Sequence, residues 1–316
     1  MQTEVTPELL RQAAERIRPI AQRTPVLTSR TFDGESGLSA LFKCENLQTG
    51  GAFKIRGASN LILSLSQAEL GKGLIAYSSG NHAQATAIAS RHVGAACTIV
   101  MPSDAPRSKL EATRGYGARV VTYDRFRENR EQITATLIEE TGATLIPPFD
   151  HPMIIAGQGT AALELLEQAP QLDALITPVG GGGLLSGCAV AAKSVNPGIR
   201  IFGVEPEGAN DTYLSFRSGE RVQITPDTIA DGLRSPMPGK LTFAIVRELV
   251  EDILLVSEDE IRAAMKFLLT RLKILVEPSG AVPAAAALFR KLPPGIARVG
   301  VVLSGGNVDF DQLAGM

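Results

Sequence analysis

Apolar runs of strand length alternate along the chain with amphipathic segments of helical length. Such alternation is typical of α/β proteins in which most strands are parallel. The pattern is clearest in the middle of the chain, where three strand–helix units follow one another. We predict strands at Leu74 to Tyr77, CTIVMP and ARVVTY, and helices from about Asn81 to His92, after Pro106, and from about Arg125 to Glu140.

A second series of elements begins after Pro147 and Pro148. It predicts a helix near Met153 to Gln168, the strand ALITPV with a glycine run and a helix, the strand IRIFGVE, helices around Leu241 to Glu251 and Glu258 to Leu272, and a last strand VGVVLSG. The N-terminal residues hold no complete strand–helix series of their own, so we assign them to this later series. The predicted organisation is a large domain, residues 1–50 and 147–316, and a small mobile α/β domain, residues 51–146.

Composition narrows the possible functions. The 31 Lys and Arg residues nearly balance the 33 Asp and Glu residues, so the formal net charge is −2. That balance argues against nucleic-acid binding, which needs a basic surface to neutralise phosphates. No apolar run is long enough to cross a bilayer, and the N-terminus lacks a signal-peptide core. The widely spaced Cys44, Cys97 and Cys188 fit neither a disulfide framework nor a metal motif, so we expect a cytoplasmic protein.

A glycine run provides a candidate phosphate site. Gly180, Gly181, Gly182 and Gly183, followed by Leu184, lie between a predicted strand and a predicted helix. Backbone N–H groups at such a turn can approach an anion closely, and the helix N-terminus adds partial positive charge. The alternative is a flexible turn. A dinucleotide site with Glu205 as its ribose-binding acid is disfavoured because the G-x-G-x-x-G register fails, and no Walker A loop occurs.

Three further motifs carry candidate chemistry. Lys54 lies in GGAFKIRGA, where small and apolar neighbours could lower its pKa for nucleophilic use. The segment Ser78 to His82 follows a strand and opens a helix, and Ser304 to Asn307 closes the last strand. Each has an ordinary alternative: a solvated lysine, a helix N-cap and a tight turn, respectively.

In this order and spacing, the four motifs resemble the fold type II pyridoxal-phosphate enzymes, specifically the serine/threonine dehydratase and serine racemase group. The resemblance spans the chain from Lys43-Cys44-Glu45 to Ser304-Gly305-Gly306-Asn307. It implies an α/β fold of two open, twisted, mostly parallel sheets covered by helices, similar to the tryptophan synthase β subunit. The large domain would then bind the cofactor.

The resemblance also implies roles for single residues. Lys54 would form the Schiff base with pyridoxal 5′-phosphate and then act as the base at the substrate Cα, while Ser79 would exchange a proton on the opposite face. Phe53 would pack near the cofactor ring, Asn81 would contact its 3′-oxygen and Ser304 its pyridine nitrogen. Gly180 to Gly183 and Leu184 would bind the phosphate. The implied substrate contacts are Ser78, Ser79, Gly80, Asn81, His82, Arg127 and Ser235, although Arg127 could equally be a solvated helix charge.

A divalent-cation site is implied at Glu205, Ala209 and Asp211. Two carboxylates and a carbonyl within this short segment supply the hard oxygen ligands that Mg²⁺, Ca²⁺ or Mn²⁺ prefers, although such loops are often merely acidic. Thr49 stands where many members of the group carry Lys or Arg, so we do not expect nucleotide activation. Few residues follow Ser304, and we expect no C-terminal regulatory domain.

The implied reaction is β-elimination of a hydroxy-amino acid, most simply L-threonine or L-serine, to a 2-oxo acid and ammonia. Within the same group, a 3-hydroxyaspartate dehydratase and a serine racemase are alternatives. A non-catalytic nucleotide-binding module that uses the glycine run is a more distant one. The expected partners are a small amino-acid substrate and a second copy in a homodimer, with no nucleic acid and no membrane.

Overall fold

The structure, a computed structural model, describes residues 4–105, 107–309 and 313, the side chain of Ser108 excepted. The helices are α1 (Pro7–Ile17), α2 (Arg30–Ser36), α3 (Lys54–Ile62), α4 (Gln67–Gly71), α5 (Asn81–His92), α6 (Arg107–Gly115), α7 (Arg130–Thr141), α8 (Pro152–Gln168), α9 (Gly183–Val195), α10 (Asp211–Ser218), α11 (Lys240–Leu249), α12 (Glu258–Phe267) and α13 (Pro278–Leu288). The strands are β1 (Val26–Leu27), β2 (Ser39–Cys44), β3 (Leu74–Tyr77), β4 (Cys97–Pro102), β5 (Arg119–Tyr123), β6 (Thr144–Leu145), β7 (Ala174–Pro178), β8 (Arg200–Pro206), β9 (Asp252–Val256) and β10 (Arg298–Leu303).

The larger sheet combines N-terminal and C-terminal strands. Within the described residues it has six strands in the order β1-β2-β10-β7-β8-β9, and only β1 runs antiparallel to its neighbour. The strand β2 pairs along its whole length with β10, from Ser39 opposite Arg298 to Cys44 opposite Leu303. The N-terminal segment therefore shares a sheet with the C-terminal strands.

The smaller sheet comes from one continuous part of the chain. In the described ranges it has four parallel strands in the order β5-β4-β3-β6. The two sheets confirm the predicted fold class of mostly parallel sheets covered by helices. The helix α3 packs against α5, which connects two strands of the smaller sheet, and against α8, which precedes β7 of the larger sheet. The domain limits at residues 51 and 147 stay a prediction.

Local capping explains where several helices begin. The side chain of Thr6 accepts a hydrogen bond from the Leu9 N–H at the start of α1, and Pro7 occupies the first helical position. The helix predicted from about Arg125 begins only at Arg130, because Asn129 is extended and its side chain accepts from the Gln132 N–H. Among the described residues, no helix has the length and apolar character needed to cross a membrane.

Candidate active site

A cavity of about 410 Å³ lies at the carboxyl ends of strands from both sheets. Residues that follow β3, β7 and β10 line it, including Ser78, Gly180 and Ser304. Open α/β sheets commonly bind ligands at this edge, because several strand ends converge there. All the predicted cofactor contacts line this cavity: Phe53, Lys54, Asn81, Gly180, Gly181, Gly182, Gly183, Leu184 and Ser304.

Lys54 starts helix α3 and borders the cavity. Its Nζ donates a hydrogen bond to the Pro148 carbonyl at 2.8 Å and lies 5.1 Å from the centre of the Phe53 ring. Burial lowers the pKa of Lys54 to about 8, so the neutral fraction of the amine near physiological pH is far larger than for an ordinary lysine, although the ammonium form still predominates. The backbone connects this residue to the last strand, since the Phe53 N–H donates to the Ser304 carbonyl at 3.0 Å.

The glycine run forms a close turn between β7 and α9. Gly182 has a φ of 90°, which L-residues with a side chain rarely adopt, and no side chain caps the helix that begins at Gly183. A Cβ on Gly181 would lie 2.3 Å from the Phe149 ring. The turn therefore leaves backbone N–H groups and a helix N-terminus at the cavity, which suits a phosphate group.

Polar groups of the cavity near the start of α5 are held by hydrogen bonds. The Asn81 side-chain amide donates to Glu277 Oε1 at 2.7 Å, and its Oδ1 accepts from Asn307 Nδ2 at 2.9 Å. Burial, followed by the charge of Asp231, raises the pKa of Glu277 to about 8. Glu277 is thus mainly protonated at neutral pH. The sequence analysis did not select this acid, although it directly precedes the helix-opening Pro278.

The predicted substrate segment, Ser78 to His82, lines the cavity where α5 begins. His82 is buried, with Nε2 at 2.8 Å from the Ile146 carbonyl. Burial and the nearby Lys54 lower its pKa to about 3, so the ring is neutral. Ser235 also lines the cavity, and its hydroxyl donates to the Met237 carbonyl at 2.9 Å.

The structure does not bring Arg127 to the cavity. Its side chain is 85% exposed and lies 3.6 Å from Asp124 in the segment before α7. The cavity is instead lined by Arg130, whose Nε donates to Glu131 at 2.8 Å and whose guanidinium lies 5.0 Å from the Tyr77 ring centre. The N-cap residue Asn129 was the sequence signal that could have moved the predicted helix start, whereas Arg127 was chosen from the family resemblance.

The implied cation ligands lie where β8 leads into α10: Glu205 is in β8, Asp211 opens α10 and Ala209 is in the connection, and none of the three is among the residues that line the cavity. Glu205 accepts the N–H groups of Thr212 and Tyr213 at 3.2 and 2.8 Å. Both carboxylate oxygens of buried Asp211 have no hydrogen-bond partner within the described residues. Burial and the proximity of Asp211 raise the pKa of Glu205, and burial raises the pKa of Asp211 to about 7.

The residues present fit pyridoxal phosphate. The cavity combines an amine with a lowered pKa, an anion-binding glycine turn and a buried serine hydroxyl at Ser304. An aldehyde, a phosphate and a pyridine nitrogen are the groups that these residues could bind. Lys54 would hold the aldehyde carbon, the turn at Gly180 to Gly183 the phosphate, and Ser304 the ring nitrogen.

Comparisons with known proteins agree with this geometry. The chain is 53% identical over 303 residues to an L-threo-3-hydroxyaspartate ammonia-lyase of Saccharomyces cerevisiae, covering 96% of this chain and 93% of that protein. The structure of the serine racemase from Dictyostelium discoideum superposes with a TM-score of 0.93 at 49% identity, covering 98% of this chain and 100% of the other. A T.th. threonine deaminase superposes with a TM-score of 0.90 at 47% identity, covering 96% of this chain and 99% of the other.

A family model described as pyridoxal-phosphate dependent enzyme matches residues 17–305, which include every residue predicted to contact the cofactor. The match and the two high-identity structures cover the cavity, the glycine turn and both sheets. The chain belongs to the pyridoxal-phosphate dependent enzyme family.

Proposed function

We propose that this enzyme is an ammonia-lyase that eliminates water from a β-hydroxy-α-amino acid, after which the enamine tautomerises and one water hydrolyses the imine, so that ammonia is the net group released, with L-serine and L-threonine as substrates. The observation that carries the proposal is the position of Lys54, whose buried amine shares one cavity with the glycine turn and Ser304. Relatives with ammonia-lyase names support the reaction class. The products would be a 2-oxo acid and ammonia.

Pyridoxal phosphate, when bound, supplies an electron-withdrawing ring that stabilises negative charge at the substrate Cα. Lys54 supplies the base. With a pKa near 8, its Nζ can accept the Cα proton and release it again within the working pH range. The neutral His82 next to it adds no second positive charge, so it does not lower the basicity of Lys54 further.

The α-carboxylate of the substrate would bind at the N-terminus of α5. Gly80, Asn81 and His82 at this helix start line the cavity, and no side chain caps the helix. A helix N-terminus favours a carboxylate because its N–H groups lack partners and carry partial positive charge. This contact would orient the Cα proton toward Lys54.

A second candidate substrate is L-threo-3-hydroxyaspartate. Arg130 lines the cavity and could pair with a second carboxylate, whereas the sequence analysis had Arg127 as the cationic substrate contact. Two relatives at 53% and 51% identity carry that ammonia-lyase name. Arg130→Met should then reduce turnover of hydroxyaspartate much more than turnover of serine. Equal losses with both substrates would remove this role.

The test of the main proposal uses the cofactor-loaded enzyme. Borohydride reduction followed by peptide mapping should find the cofactor on Lys54, and Lys54→Ala should show no such label. Release of 2-oxo acid is then measured from serine, threonine and the hydroxyaspartate stereoisomers. Chiral analysis of residual serine detects racemisation, which Ser79 in the cavity could support. Absence of 2-oxo acid from all of these substrates would reject the lyase proposal.

We also propose a divalent-cation site at Glu205, Ala209 and Asp211, with Mg²⁺ as the first ion to test. The unpartnered Asp211 oxygens support it, because buried carboxylates without a counter-charge are unfavourable. Mg²⁺ should raise the melting temperature of chelator-treated enzyme, and Asp211→Asn should abolish that rise. An equal rise in both proteins would contradict this site.

We further propose a cytoplasmic homodimer. Leu47 and Leu275 are 48% and 41% exposed, and they are close because Asn46 Nδ2 donates to the Leu275 carbonyl at 2.9 Å. An exposed pair of large apolar side chains supports a protein contact at this surface. Leu47→Asp should shift the mass measured by light scattering to that of one chain.

The cytoplasmic location is supported by Cys44, Cys97 and Cys188, which are buried and form no disulfide. Free thiols of this kind are typical of a reducing compartment.

A further inference from the structure

One ion pair crosses the cavity between the two groups of strands. Lys109 lies on α6, beside the smaller sheet, and its ammonium pairs with Asp231 in the short turn Asp231–Leu233, which packs with the larger sheet. Both residues line the cavity. The Lys109 side chain is 10% exposed and that of Asp231 is 40% exposed, which places the pair where the cavity meets solvent.

Both partners belong to ordered backbone. The Lys109 carbonyl accepts from the Thr113 hydroxyl at 2.8 Å within α6. Next to Asp231, the Gly232 N–H donates to the Ser279 hydroxyl of α13 at 2.9 Å. Each charged group is therefore attached to backbone that is itself hydrogen-bonded, in α6 for Lys109 and beside α13 for Asp231.

A second connection between the two groups lies deeper in the cavity. There Asn81 of α5 bonds to Glu277 and Asn307, which flank the larger sheet. The deeper connection uses an amide and an acid that is mainly protonated at neutral pH, whereas the outer one uses two opposite charges. Substrate that binds between α5 and the glycine turn would share this cavity with the Lys109–Asp231 pair, because all of these residues line it.

The pair is formed only when α6 and the turn at Asp231 are in contact. When they separate, water hydrates both charges and the attraction between them is lost. Water can then also enter the cavity between α6 and the turn. While they are in contact, the nearly buried Lys109 ammonium needs Asp231 as its counter-charge. The pair thus favours the closed cavity over an open one.

We propose that the Lys109–Asp231 ion pair holds the cavity closed over the bound amino acid, so that both are positioning residues for the reaction. The proposal depends on the proposed function for the identity of the substrate only. Amino-acid access requires the pair to open, and its closure excludes water from the reacting atoms. Loss of the pair weakens substrate retention more than it slows the proton transfer at Lys54.

The test compares Lys109→Met, Asp231→Asn and the charge-exchanged variant Lys109→Glu with Asp231→Lys, all loaded with pyridoxal phosphate. The single variants should raise KM for serine about tenfold with a smaller change in kcat, and the exchanged variant should recover most of that loss. High salt should raise the KM of the wild type but not that of Lys109→Met, because salt screens the pair. Arg125→Met is the matched control. Arg125 forms an exposed ion pair with Asp104, both residues belong to the part of the chain that forms the smaller sheet, and neither lines the cavity.

Hydrogen exchange of the α6 amides gives a readout that needs no substrate. Exchange should be faster in both single variants and return toward the wild-type rate in the exchanged variant. Wild-type KM and wild-type exchange in Lys109→Met would overturn the proposal, and so would an exchanged variant as impaired as both single variants combined. If no amino acid were turned over but exchange still followed the charges, the lyase proposal would fail and this one would stand.

Discussion

Burial accounts for the lowered pKa of Lys54, about 8, without a contribution from a neighbouring charge. The small and apolar residues around it in GGAFKIRGA suggested that the pKa could be lowered, and burial of the amine acts in that direction. Glu277 is the acidic counterpart in the same cavity. Its burial raises the pKa of the carboxyl to about 8, so near neutral pH a mainly protonated acid and an ammonium that releases its proton readily line the same space.

The raised pKa of Glu277 predicts a pH-dependent stability. An unfolded glutamate has a pKa of about 4.3, so between that value and about 8 the folded state binds the extra proton. Stability from this group is therefore complete at low pH and is lost as pH rises toward 8. Glu277→Gln keeps a neutral side chain, and its melting temperature should fall less than that of the wild type between about pH 5.5 and pH 8.

Glu251→Gln is the control for this measurement. Glu251 lies on the surface, and its hydrogen bonds to Arg200 hold its pKa below the usual value, so it does not titrate in that range. This variant should show the wild-type slope of melting temperature against pH. Parallel slopes for Glu277→Gln and the wild type would mean that Glu277 is ionised when folded.

At the scale of single elements, the glycines of the turn between β7 and α9 allow its backbone to pack directly against neighbouring side chains. The Phe149 ring packs where a Cβ on Gly181 would lie, so a side chain there would push the turn away from its position. Gly181→Ala should weaken binding of pyridoxal phosphate by about tenfold or more, because overpacking costs on the order of 1–3 kcal/mol. Cofactor titration followed by absorbance measures the change.

Gly34→Ala is the matched control for Gly181→Ala. Gly34 lies in α2, where a Cβ would meet no atom within 4 Å. Its cofactor affinity should equal that of the wild type. If Gly181→Ala also bound the cofactor with unchanged affinity, the turn would not be the phosphate site.

Elements were easier to predict from the sequence than the contacts between them. The strands at Leu74 to Tyr77 and CTIVMP and the helix from Asn81 to His92 are confirmed with the same limits, because each is strongly patterned and bounded by turn residues. The two-residue strands β1 and β6 are too short to show a pattern. Lys109 and Asp231 are 122 positions apart, and no local signal joins residues at such a distance.

At the scale of the whole molecule, one buried arginine ties several parts of the chain together. The guanidinium of Arg56, two residues after Lys54, is fully buried. It donates to Glu45 at 2.7 and 2.8 Å and to Glu164 of α8 at 2.8 Å from two nitrogens. Lys43 adds a second positive charge at 2.6 Å from Glu164, so the cluster of two cations and two carboxylates is neutral overall.

This arginine cluster explains how α3 keeps Lys54 in place between the two sheets. Glu45 directly follows β2, Glu164 lies on α8, and Arg56 is in the first turn of α3. Planar guanidinium groups can bond to two carboxylates at once with fixed geometry. The cluster therefore fixes the rotation of α3 and the direction in which Lys54 leaves it.

Breaking the arginine cluster should destabilise the entire enzyme. Arg56→Met leaves buried Glu45 and partly buried Glu164 with one lysine, and the free energy of unfolding should fall by about 3–5 kcal/mol. Arg56→Lys keeps the charge but not the forked geometry, so we expect an intermediate loss. Arg18→Met removes an exposed pair with Glu15 and should cost less than about 1 kcal/mol. Urea unfolding of the cofactor-loaded proteins, followed by circular dichroism, measures these differences, and an Arg56→Met enzyme as stable as Arg18→Met would show that the cluster does not hold the fold together.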